Sequence, residues 1–313
     1  MPPQTSFTFY LDWIVCSQFA GIFWAKEHGL YEAKGLDVNV VSWHDDGRTV
    51  IDKVLQSASS GELCAGCAED NLVVRRCADD GSVMVFGAML QDTPLVLMSR
   101  PTQFIRSLAD LRGKRVGMHA DGIRVLELVL ALEGIPPGDL DLQEVGFDLE
   151  HLRSDRFDAL QGYTMTEPVQ LSSLGVDVDV MAVKHRRLKP YAQTYFSETT
   201  LLSSRPEPFV NFLCASSAGW LAACAQPEEA AALVSRLMHQ DLPTGDRRQA
   251  ESDRRRSLDR VISLVLGHLP PERIGSVEIE QWKRNLATYF EFGLIPRPLG
   301  IEDVVFELGR RSA

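Results

Sequence analysis

The sequence predicts an α/β protein of two lobes, each a mostly parallel sheet flanked by helices, followed by a helical C-terminal extension. Three observations carry that expectation. Apolar runs of strand length alternate with helical patterns from Thr5 to about residue 192. Runs such as Val83-Met84-Val85-Phe86-Gly87-Ala88-Met89 are continuously apolar, as in strands covered on both faces. From about Pro206 the pattern becomes nearly all helix. At 313 residues the chain is long enough to bury two cores.

The first lobe opens with a strand over 7–13, a helix over 18–29 and a strand over 35–41. This is a βαβ unit, in which ligands sit at the carboxyl ends of the strands. That end carries Asp12, Trp13 and Cys16. A helix starting at Asp45-Asp46-Gly47 runs through Val50, Val54 and Leu55, followed by a strand over 61–66, a helix over 69–78 and a strand over 83–89. The second lobe begins after Pro94–Met98 with a strand over 114–118. Asp121 then caps a helix whose core face is Val125, Leu128, Val129 and Leu132. Strands over 142–145 and 157–162, a helix over 166–174 and a strand over 176–183 complete it.

Helices over 209–225, 227–238, 246–266 and 279–292 then return the chain to the first lobe. Lobe 1 is therefore expected to be 1–95 plus 196–313, and lobe 2 to be 96–195. Crossings near 94–100 and 191–197 would form a hinge beside an interlobe cleft. The arginines Arg247-Arg248 and Arg254-Arg255-Arg256 alternate with Glu251 and Asp253, as on a solvated helix face.

Composition excludes more than it assigns. A net charge of -11 argues against nucleic acid, which needs a basic surface. No run reaches the roughly 18–20 apolar residues that span a bilayer. The start, Met1-Pro2-Pro3-Gln4-Thr5-Ser6, has neither the basic region nor the apolar core of a leader. The protein is expected to be cytoplasmic if Met1 is the native start, and exported if a leader was trimmed. Cys77, Cys214 and Cys224 fall in apolar helical stretches, where a free thiol packs as a small hydrophobe, and this slightly favours a reducing compartment.

P-loop, GxGxxG, HExxH and GxSxG signatures are missing. Cys64-x-x-Cys67 lacks two further ligands at zinc spacing, so no metal is expected, and no cofactor. Cys16 lies near a helix N-terminus, which can favour a thiolate, yet no His or Arg is paired with it in sequence. It reads as a pocket-lining side chain, with a nucleophile as the alternative.

The strand-end loops supply the remaining candidates: Phe19, Glu69, Asp70, Asp92, Met118, His119, Asp121, Tyr163 and Glu167, beside Asp12, Trp13 and Cys16. Flat aromatic surface together with carboxylates suits a planar, nitrogen-rich ligand carrying N–H donors or positive charge. A sulfonate or phosphate would want Arg, Lys or several free amide donors.

Leu11-Asp12-Trp13, Ala25-Lys26-Glu27-x-Gly29-Leu30-Tyr31, Gly35-Leu36-Asp37-Val38, Leu111-x-Gly113-Lys114-x-Val116-Gly117 and Gly162-Tyr163-x-x-x-Glu167-Pro168-Val169-Gln170 recur in order in a known group. Over nearly its whole length the chain resembles the type II periplasmic solute-binding proteins of the thiamine-pyrimidine-precursor and alkanesulfonate group. The resemblance implies a binding protein, monomeric and not an enzyme, that delivers a heterocyclic solute such as an aminopyrimidine to an ABC transporter permease if exported. It also implies a periplasmic location and a heterocycle contact for Glu167.

The chain departs from the group in carrying Val15-Cys16 where Pro-Asn often follows the Trp corner. Two enzyme families with a similar fold give the alternative, with Cys16 as nucleophile. Pyrimidine synthases carry Lys and His where this chain has Gly66 and Asp70, and desulfinases have partner His and Arg residues with no match here.

Overall fold

The structure, a computed structural model, describes residues 4–44, 46–238 and 244–308, with side chains from Ser252 onward in the last stretch. The first lobe is laid down as β1 (Thr5–Tyr10), α1 (Ala20–Glu27), β2 (Leu36–Val41), α2 (Val50–Ser59), β3 (Cys64–Ala68), α3 (Asp70–Asp79) and β4 (Val83–Ala88). The second follows as β5 (Leu95–Ser99), β6 (Arg115–Met118), α4 (Ala120–Leu132), β7 (Asp141–Glu144), α5 (Glu150–Arg153), β8 (Ala159–Tyr163), α6 (Glu167–Ser173) and β9 (Asp179–Ala182). The chain returns through β10 (Thr194–Glu198) into α7 (Thr199–Ser204), α8 (Pro206–Ala225), α9 (Pro227–Met238), α10 (Thr244–Leu266) and α11 (Ile279–Glu291).

Among the described residues there are two five-stranded sheets, ordered β2-β1-β3-β10-β4 and β7-β6-β8-β5-β9. Each is parallel except for one strand, β10 in the first and β5 in the second. β10 is one of four elements that the sequence reading does not name, with β5, α5 and α7. Residues 194–197, expected to be part of a crossing, lie buried between β3 and β4. Two of them, Thr194 and Ser197, are small hydroxyl residues, which breaks the apolar run. Thr194 Oγ1 donates to the Ala68 carbonyl (2.8 Å) and Ser197 Oγ to the Cys64 carbonyl (2.6 Å), so both are satisfied inside the core.

Two helix starts also differ from expectation. α2 begins at Val50, because Thr49 and Asp52 form a capping box: Asp52 N donates to Thr49 Oγ1 (3.1 Å) and Thr49 N to Asp52 Oδ2 (3.2 Å). Asp45, at the expected start, lies outside the described residues. His119, with extended backbone, is the N-cap of α4. Asp121 sits inside the first turn and accepts from Gln161 Nε2 instead of capping. Cys214 is exposed, against the expectation that α8 buries it.

Arg255 pairs with Glu228 (3.2 Å) and Asp259, and Arg256 with Asp253 (2.6 Å), as on a solvated face; the side chains of Arg247, Arg248 and Glu251 lie outside the described residues.

The first core is aromatic. Phe212 of α8 stacks on Phe7 (4.9 Å) and meets Phe9 (4.7 Å) of β1. α8 comes this close to α1 because Gly21 and Gly219 face each other. A Cβ on Gly219 would meet the Gly21 carbonyl and lie 2.7 Å from the Ala25 Cβ. Gly219→Ala is expected to cost about 1–3 kcal/mol of stability by overpacking, measured by urea unfolding. An unchanged midpoint would show that the two helices slide apart freely.

Candidate functional site

The carboxyl ends of the strands converge on a cleft of about 910 Å³. β1 presents Asp12 and Trp13, β3 presents Glu69, β6 presents His119 and Asp121, and β8 presents Tyr163 with Glu167 just beyond. Open α/β sheets place ligands there because loops leaving the strand ends are free to vary while the sheet holds their origins fixed. Seven of the twelve residues expected at the site line this cleft, contributed by both lobes.

An aromatic row crosses it. Trp13 stacks on Trp43 (5.2 Å, 21° between planes), Phe147 tilts against Trp13 (4.5 Å, 58°), and His119 meets Phe147 edge-on (4.0 Å, 61°). Beside the row lie four carboxyl groups. Tyr163 Oη donates to Glu69 of the other lobe and lies 3.4 Å from Asp121 Oδ2. Tyr163 N donates to Glu167 Oε2 (2.6 Å), and Gln161 links His119 N (3.0 Å) to Asp121 Oδ1 (3.3 Å).

Burial dominates the electrostatics. It pushes Asp12 up to about 7 against hydrogen bonds from Gln193 and Cys67, raises Glu69 well above the carboxylate range and raises Glu167. It lowers His119, although Asp121 pulls the other way. The three carboxyl groups therefore hold their protons more tightly than in water, and positive charge placed beside them favours their ionised form. The lining cations Arg75 and Arg76 are already engaged, by Asp79 (3.0 Å) and Asp80 (3.1 Å).

A carboxyl group whose pKa is higher folded than unfolded is protonated on folding, so its contribution is lost as pH rises. For Asp12 that window runs from 3.8 to about 7. The ligand-free protein is therefore expected to lose stability across it, by up to roughly 1.4 kcal/mol per pH unit. Asp12→Asn should remove this dependence and melt higher than wild type at pH 8; a lower melting point at pH 8 would refute the account.

Five expected residues do not line the cleft. Asp70 is fully buried behind it, accepting from Tyr191 N (2.9 Å), Tyr289 Oη (2.8 Å) and Asn285 Nδ2 (3.4 Å). Asp92 borders a separate cavity of about 490 Å³ with Lys189, Arg260 and His268, and pairs with Lys184 (3.6 Å). Phe19 and Met118 have no exposed surface. Cys16 is nearly buried and desolvation pushes its thiol up to about 12, the opposite of an activated nucleophile. Among the described residues no group of three His, Cys, Asp or Glu side chains is placed to hold a metal ion.

Gln18, Trp43, Phe147 and Gln193 line the cleft without having been anticipated. Trp43 lies two residues beyond β2 and Phe147 three beyond β7, so the strand-end rule applied to those two strands finds both. Gln193 had no such signal, because it precedes the strand that the sequence pattern hides. Its left-handed backbone (φ 58°) turns the chain into β10, with its carbonyl accepting from Met89 N (2.9 Å).

A family model described as NMT1/THI5 like matches residues 16–230. The riboflavin-binding protein RibY of Chloroflexus aurantiacus is 26% identical over 233 residues, covering 73% of this chain and 65% of that protein. A putative thiamine biosynthesis protein of Haemophilus influenzae is 24% identical over 155 residues, covering 49% and 48%. The match thus spans less than two thirds of the length of either relative. Among solved structures, the periplasmic aliphatic sulphonate binding protein SsuA of Escherichia coli superposes with a TM-score of 0.69 at 16% identity, over 96% of this chain and 97% of that one. At that identity the likeness shows the fold, that of the periplasmic binding proteins.

Proposed function

The chain belongs to the NMT1/THI5-like family, and from its cleft we propose that it is a solute-binding protein of an ABC importer, closing two lobes over a planar nitrogen heterocycle. The observation that carries this reading is the pairing of the Trp13–Trp43 stack with Asp12, Glu69, Asp121 and Glu167 in one cleft. A flat ring lies on the indoles, and its N–H donors or positive charge meet the carboxyl groups, which ionise as the ligand's charge replaces their protons. Named relatives that bind riboflavin or belong to thiamine biosynthesis handle heterocycles, which supports the same class. A sulfonate fits this cleft poorly, because its described cations are already paired.

An aminopyrimidine precursor of thiamine is the specific solute of this proposal, with Trp13 or Tyr163 under the ring and Glu167, Glu69 or Asp12 at its amino edge. A volume of about 910 Å³ also admits a tricyclic ring such as a flavin. In this reading 1–95 with 196–313 and 96–195 are the bodies that move, the protein is a periplasmic monomer, and an ABC permease receives the closed form.

Mass spectrometry of small molecules that copurify, with a thermal-shift panel of 4-amino-5-hydroxymethyl-2-methylpyrimidine, riboflavin and taurine, tests it. Stabilisation by a heterocycle and not by taurine is expected, with the ligand recovered unchanged. Stabilisation by taurine alone, or consumption of the heterocycle, would refute it.

A further inference from the structure

We infer that Phe147 is a placeholder for the ligand's ring, and thereby a specificity-determining residue of the proposed solute site. The inference rests on reading the cleft as that site. Phe147 stands in the loop after β7, 56% exposed. Its ring contacts are Trp13 of the opposite lobe and His119 of its own.

The contact is an exposed one that leaves the flat stacking geometry unused. Trp43 lies nearly parallel to the Trp13 indole, whereas Phe147 meets it at 58°. A planar heterocycle can lie flat on that indole and also bond to Asp12 and Glu69, neither of which a benzene ring engages. The ligand's ring therefore takes the place of Phe147, which swings out on its loop. Until then Phe147 shields the indole and holds the lobes in contact. The exchange penalises every ring that stacks on Trp13 by the strength of one exposed aromatic pair, about three- to tenfold in affinity. Solutes too small or too puckered to gain more than that from the indole are turned away.

Ligand-free protein supplies the first test. Trp24, Trp220 and Trp282 are 4%, 1% and 0% exposed, so in a Trp43→Phe background Trp13 is the accessible indole. Acrylamide quenching should rise when Phe147→Ala is added; unchanged quenching would overturn the inference. Titration of wild type and Phe147→Ala with 4-amino-5-hydroxymethyl-2-methylpyrimidine and with riboflavin supplies the second. Binding about three- to tenfold tighter in the variant is expected. Weaker binding would make Phe147 a lid over the bound ring and overturn the placeholder, as would equal binding, while leaving the solute-binding reading intact. If neither form binds either probe, both readings fall together. Phe147→Leu, which keeps an apolar side chain on the loop, should behave like alanine if the ring itself is the placeholder.

Discussion

Asp70→Ala is expected to lower the unfolding free energy by about 3–5 kcal/mol, read from urea or thermal unfolding, while the folded fraction keeps its ligand affinity. Three donors converge on this carboxyl group: Tyr191 N, Tyr289 Oη and Asn285 Nδ2, all in a region with no exposed surface on Asp70 and Tyr289. Removing the shared acceptor leaves Tyr191 N and Tyr289 Oη buried without a partner, at roughly 1–3 kcal/mol apiece before relaxation, while Asn285 Nδ2 keeps its bond to the Lys189 carbonyl (2.7 Å), and a water in the vacated space recovers part of the loss. Asp70 also ties α3 to α11 and to the segment that enters β10, so its loss loosens the C-terminal helices from the first sheet. The expectation from sequence, that Asp70 contacts the ligand, predicts the reverse pattern: little loss of stability and a large loss of binding. That pattern would show that the carboxyl group turns toward the cleft.

Trp13→Ala is the complementary case. Here the expected loss is in binding, about 2–4 kcal/mol, or roughly 30- to 1,000-fold in affinity for a stacking probe such as riboflavin, with a small change in melting temperature. In the proposed complex the indole is the flat face between Trp43 and the ligand, and its truncation also leaves Trp43 without its stacking partner. Stability changes little because Trp13 is only partly buried and packs at the margin of the first core. Trp13→Phe should recover part of the affinity, since a smaller ring keeps some of the stacking area. Isothermal titration of the three proteins decides the matter; full affinity in Trp13→Ala would remove the indole from the site.

The strand-end argument found the cleft because it depends on order along the chain. β1, β3, β6 and β8 each read as strands followed by polar or aromatic loops, and Asp12-Trp13, Glu69, His119, Asp121, Tyr163 and Glu167 all converge. It failed where one residue separates two directions. Glu69 faces the cleft and Asp70, its neighbour, faces the core, because Glu69 is the extended N-cap of α3 and Asp70 begins the helix, and that change of backbone conformation rotates the second side chain away from the first. Loop composition carries no record of that rotation. Cys16 and Phe19 were misjudged for the same reason: proximity in sequence to Trp13 does not decide which way a tight turn points them.

By itself, the sequence determined the alternation of strands and helices, the two α/β units and the helical ending, because apolar periodicity is a local property that folding preserves. It also determined the chemistry offered at the strand ends, aromatic and acidic. Only the tertiary structure decided that β10 runs between β3 and β4 inside the first sheet, that Asp70 is a core acceptor, and that Trp43 and Phe147 flank Trp13 from opposite lobes. Those outcomes depend on contacts between residues far apart in the chain, where a buried Thr or Asp is stable only because a distant carbonyl or hydroxyl completes its hydrogen bond.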